Sequence, residues 1–130
     1  MRRLAALVVV VALAGPAAAD PALDYTLNCQ GCHRADGSGT PGSVPALAGS
    51  VGRFVRVPGG REYLGRVPGV AQAPLDDAAL AAVLNWMLGR FGPPPPQGFV
   101  AYDAAEVGRL RAAPLVDVDR ARRELLLAIE

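Results

Sequence analysis

Residues 29 to 33 read Cys-Gln-Gly-Cys-His, and they hold both cysteines and the single histidine of the 130-residue chain. In a C-x-x-C-H run the two thiols are spaced to add across the two vinyl groups of a porphyrin, one S–H across each C=C, while the adjacent imidazole coordinates the iron. Cys29 and Cys32 are therefore the candidate tethers of one covalent haem c, and His33 is both cofactor-binding residue and metal ligand. No other residues suggest catalysis: a Ser-His-acid set has no spare histidine once His33 ligates iron.

Other chemistries share part of this pattern. A redox dithiol of the thioredoxin type needs a preceding strand and a βαβ context, whereas PALDYTLNCQ reads as a short helix. A structural zinc site takes four Cys or His ligands, and the chain supplies three in total. A structural disulfide is the remaining alternative in an exported protein.

The segments around the motif must hold it in place. Residues 1–19 combine Arg2 and Arg3, an apolar run from Leu4 to Ala14, and Ala17-Ala18-Ala19, the pattern of an export signal cleaved after Ala19. Eleven apolar residues fall short of the roughly 20 needed to span a bilayer, so no stable membrane anchor is expected after cleavage. The rest carries eleven basic and twelve acidic residues, which gives nucleic-acid binding no electrostatic support.

Asp20 and Pro21 suit the start of a helix reaching about Gln30, with Tyr25 able to face a core. Residues 34–49 are rich in Gly, Ser and Pro and read as a loop. A short helix is expected over Arg61–Val67, stopped by Pro68-Gly69. The strongest helix is capped by Asp76 or Asp77 and places Leu80, Val83, Leu84, Met87 and Phe91 on one face. Pro93 to Pro96 form a stiff spacer, and Asp103 and either Asp117 or Asp119 can cap two tail helices. The expected architecture is all-α: a signal at 1–19, a small helical haem domain at 20–92, a proline-rich spacer at 93–97 and a helical C-terminal extension at 98–130 that either covers the domain or binds a partner. Few aromatics and long Gly/Pro loops make a weak core, so the haem-bound form should be far more stable than the apoprotein.

Residues 20 to 92 resemble the class I cytochromes c in their order of helix, C-x-x-C-H, Gly/Pro loop, short middle helix and a last helix of the form LDDAALAAVLNWML. The resemblance implies that the Pro45 carbonyl holds the His33 ring, that Tyr25 or its neighbours cross against Trp86 in the core, and that Tyr63 packs near the haem. It also implies a second axial ligand, normally a Met, in the loop before the last helix. Here that loop reads VPGVAQAPLDD, without Met, His or Lys. Met87, lying in the last helix, Gln72, water or no ligand at all remain for the sixth position.

The resemblance implies a periplasmic single-electron carrier rather than an enzyme, with a dehydrogenase as donor and a cytochrome or oxidase as acceptor. The alternatives are a five-coordinate haem module that binds a small ligand, and the haem subunit of a larger oxidoreductase.

Overall fold

The computed structural model describes residues 20–130, so the expected export signal at 1–19 lies outside the described residues. The fold is all-α, and among the described residues the one β feature is an isolated bridge between Thr40 and Val44. No described helix is long and apolar enough to cross a membrane.

Helix α1 (Pro21–Asn28) starts because the Asp20 carboxylate accepts from the backbone N–H groups of Ala22 and Leu23, with Pro21 in the first turn where its missing N–H costs nothing. Cys29 breaks the helix, and a single turn, α2 (Gln30–His33), follows. The turn closes on Arg34 at φ 69° and ψ 164°, a conformation that L side chains rarely adopt. The Tyr25 hydroxyl donates to the Arg34 carbonyl at 2.8 Å and holds this turn in place. Burial pushes the Tyr25 phenol up to about 12, so it remains a donor throughout the physiological range.

Two four-residue helices, α3 (Val51–Phe54) and α5 (Pro68–Ala71), flank α4 (Gly60–Arg66). The sequence reading missed both, because a single turn shows no apolar period. Pro68 does end the middle helix, but by serving as the first residue of α5. At Gly60 a β-carbon would collide with the backbone carbonyl of Phe54, so only glycine lets α4 start this close to α3. Helix α6 (Asp77–Phe91) begins at Asp76, whose carboxylate accepts from Ala79 N at 2.7 Å, and it buries the five residues expected on its face.

Helix α1 crosses α6, with the Tyr25 ring 5.2 Å from Trp86 and 5.1 Å from Phe91. Trp86 is only partly buried and seals the edge of this crossing. Beyond the prolines, α7 (Ala104–Arg111) and α8 (Val118–Ile129) begin at Asp103 and Asp117, and both fold back on the preceding helices. Val107 of α7 is fully buried, and Leu110 packs on Gly65 of α4. Arg61 fixes the approach: its guanidinium forms a two-bond pair with Glu106 at 2.5 and 2.6 Å, donates to the Val100 carbonyl and lies 4.1 Å from the centre of the Tyr102 ring. Asn85 and the Tyr102 backbone exchange two hydrogen bonds of 2.9 Å, which locks the tail to the middle of α6. In this structure residues 98–130 therefore cover the helical domain.

Candidate haem cavity

Between α2, α4 and α6 the packing opens into a cavity of about 330 Å³. Cys29 and Cys32 line it from α2, Cys32 being exposed and Cys29 half-buried, and both are free thiols. Burial, followed by the charges of Asp24 and Cys32, pushes the Cys29 thiol up from its ordinary value. Most of the remaining wall is hydrocarbon, with Leu80, Val83, Leu84 and Met87 supplied by α6.

His33 also lines the cavity, with Nδ1 3.1 Å from the Pro45 carbonyl oxygen, the contact that the resemblance implied. A carbonyl can only accept, so the proton sits on Nδ1 and the Nε2 lone pair is left free. Burial lowers the pKa of His33, outweighing the opposing effect of the Pro45 bond, so the ring favours the neutral form that binds metals. This is how a ligating imidazole is normally oriented, with its second nitrogen bonded to the protein.

Among the described residues no three His, Cys, Asp or Glu side chains converge on a point where a bare metal ion could bind. The two thiols and the imidazole share the wall of a large apolar chamber instead, a donor set suited to a wide, flat, apolar group anchored at its edge and ligated at its centre. A porphyrin has that form, so the residues present fit haem.

The candidates for the sixth position separate clearly. Gln72 is exposed and does not line the cavity, whereas Met87 is 7% exposed and forms part of the wall. The loop before α6 contributes Val67, Pro68, Gly69, Val70 and Ala73 to the wall, none of which offers a side-chain ligand. This loop is stapled from the tail: Arg111 donates to the carbonyls of Ala71, Ala73 and Leu75 at 3.2, 2.6 and 2.7 Å and pairs with Asp77 at 3.1 Å.

Among the wall residues that sequence reading did not single out are Val118 and Arg122 of α8. The guanidinium of Arg122 lies 5.3 Å from the centre of the Phe54 ring, and among the described residues it is the one Arg, Lys, Asp or Glu side chain on the wall. A signal for it was present. Val118, Ala121, Leu125, Leu126 and Ile129 form the apolar stripe of α8, and Arg122 stands within that stripe at helical spacing.

No family model matches the chain. A cytochrome c-552 of Thermus thermophilus is 38% identical over 118 residues, covering 76% of this chain and 79% of the relative. A second Thermus thermophilus cytochrome c-552 is 38% identical over 116 residues, covering 75% and 88%. The first alignment is longer than the share of this chain it takes in, so the relative carries residues within it that have no counterpart here. By this likeness, and with a helical fold closed around a cavity that bears two thiols and an oriented imidazole, the chain belongs to the class I c-type cytochromes, whose cofactor is covalently bound haem c.

Proposed function

We propose that this cytochrome is exported to the bacterial periplasm and carries single electrons between redox proteins there, a dehydrogenase as donor and a cytochrome or oxidase as acceptor. One haem would be tethered through Cys29 and Cys32 and ligated by Nε2 of His33. The observation that carries this assignment is the His33 Nδ1 to Pro45 bond beside two free thiols on an apolar cavity.

The bound haem supplies a one-electron iron couple. The chain's own residues do the rest. The hydrocarbon wall excludes water and lowers the local dielectric, which limits solvent reorganisation when the charge changes. The Pro45 carbonyl holds the His33 ring in one orientation and raises its basicity, which favours the ferric state. Exposed Cys32 marks the attached edge as the point where a partner can approach.

Arg122 lines the cavity and would provide a countercharge for the carboxylates of a bound haem. Arg122→Gln removes a positive charge beside the cofactor and so stabilises the oxidised form. The reduction potential should fall by an amount on the order of tens of millivolts, and its pH-dependent region should move to higher pH as the carboxylate loses its partner. Potentiometric titration at several pH values measures both effects, and an unchanged potential would remove Arg122 from the account.

The functional reading is tested by producing the chain with its own leader in a bacterium that attaches haem in the periplasm. The mature protein should begin at Asp20 and accept one electron per chain in a reversible titration. Retention in the cytoplasm with the leader intact, or the lack of a reversible one-electron couple, would contradict it.

A further inference from the structure

The cavity reaches the surface where five of its lining residues are exposed: Asn28 and Cys32 beside the tether, Pro45 and Ala46 in the loop after it, and Gly69 in α5. None carries a charge. They belong to three stretches, 25–33, 37–52 and 67–75, that contain no Arg, Lys, Asp or Glu, although 19% of the chain is charged. Charge resumes only at their ends, at Asp24 and Arg34, Asp36 and Arg53, and Arg66 and Asp76. His33, the one residue within them able to become a cation, favours its neutral form. Arg122, the charge on the cavity wall, comes from α8, is partly buried and lies against the Phe54 ring. Leu27, which immediately precedes Asn28, is 71% exposed on α1.

The fold gathers these stretches around one opening. The first forms the end of α1 and all of α2, the second is turned back onto it by the His33–Pro45 bond and by Leu47 N donating to the Gly37 carbonyl, and the third is held by the Arg111 staple. Depletion of charge, more than bulk hydrophobicity, marks the core of a protein–protein interface. A charged group on a partner pressed against this rim would lose its hydration with no opposite charge to replace it, whereas an uncharged face loses little. Eleven basic against twelve acidic residues in 20–130 add no strong steering field.

We propose that the redox partner of this protein docks on the opening formed by Leu27, Asn28, Cys32, Ala46 and Gly69, through an uncharged, largely apolar face of its own. This rests on the reading of the chain as a one-electron carrier with haem attached at Cys29 and Cys32, and it adds the chemistry of the partner. Association is then nearly independent of ionic strength.

The test places the haem-loaded protein on gold coated with monolayers ending in methyl, carboxylate or ammonium groups, which stand for an apolar, an acidic and a basic partner face, and reads adsorbed mass and the electron-transfer wave on the same surface. The methyl surface should give both, unchanged when salt is raised to about 0.5 M, which screens exposed charges. Gly69→Lys and Leu27→Lys should each lower both readings there by about tenfold or more, because they bury a charge without a partner. At Gly69 an added β-carbon meets nothing within 4 Å, and Leu27 is exposed, so both variants are compatible with the fold. Val100→Lys, at a 74% exposed site in the tail outside the cavity, should change neither reading. A wave on the carboxylate or ammonium surface that salt abolishes would overturn the proposal. So would a methyl-surface signal that ignores Gly69→Lys and Leu27→Lys or that Val100→Lys reduces as much, and so would silence on all three surfaces from a protein that a small diffusible mediator oxidises and reduces. If the protein in solution is a dimer that Gly69→Lys dissociates, a second copy occupies the face, and if neutral phosphatidylcholine vesicles retain it, a lipid surface does; with either result the proposal falls. A protein that exchanges no electron even with the mediator fails at the carrier reading instead.

Discussion

Replacing Cys29 and Cys32 together by Ser should leave a chain that cannot retain haem and that loses most of its cooperative fold. The argument rests on the cavity. A haem filling the chamber of about 330 Å³ would take its apolar lining out of water, worth on the order of 5 kcal/mol at about 25 cal/mol per Å². That is comparable with the whole stability of a small domain, about 5–15 kcal/mol. The α1–α6 crossing through Tyr25, Trp86 and Phe91 and the α7 contacts lie outside the cavity, so they would persist as fluctuating helix rather than vanish. Far-UV circular dichroism should show reduced helix and a broad melt, and a hydrophobic dye should bind. A double variant that melts as sharply as the haem-bound protein, and at the same temperature, would show that the polypeptide has a sufficient core without its cofactor.

Arg111→Ala should give the largest loss of any single change in the tail. Its guanidinium, 19% exposed, satisfies the carbonyls of Ala71, Ala73 and Leu75 and pairs with Asp77 in the first turn of α6. Three carbonyls would lose their protein donor, and at about 1 kcal/mol for each hydrogen bond the total is about 3 kcal/mol. For a chain of this size that lowers the melting temperature by more than about 10 °C. Arg111→Lys keeps the charge without the planar spread of donors, so it should recover only part of the loss. Thermal melts of the haem-bound variants measure this series. If Lys served as well as Arg, the charge pair with Asp77 and not the three carbonyls would be what matters.

What the sequence made legible follows from range. The C-x-x-C-H run is five consecutive residues, and the caps at Asp20 and Asp103 and the apolar face of α6 are each written within one helix and appear in the structure as read, while of the two pairs left open the structure takes Asp76 over Asp77 and Asp117 over Asp119. Pro45 and the pairing of Tyr25 with Trp86 were reached through the resemblance, which brings long-range placement that local patterns lack. Helices α3 and α5 were hidden because four residues form one turn and show no period. The roles of Arg111 and Arg122 were hidden for a different reason. Arg111 meets its partners 34 to 40 residues away, and Arg122 reaches the cavity wall only because the whole tail folds back. Read along the chain, Arg111 shows nothing of its role, and Arg122 shows only its place in the apolar stripe of α8. The absence of a Met, His or Lys in VPGVAQAPLDD was legible, but which of Gln72 and Met87 faces the cavity depended on the tertiary packing, which places Met87 on the wall and leaves Gln72 exposed.

The central claim is tested most directly by the intact mass and optical spectrum of the chain produced with a haem-attachment system and then extracted with acidified acetone, which removes haem that is not covalently bound. The account predicts a polypeptide heavier by one haem that keeps a c-type spectrum after extraction, with both features lost in the variant lacking Cys29 and Cys32. A wild-type chain that leaves extraction at the mass of the bare polypeptide, colourless, would contradict it.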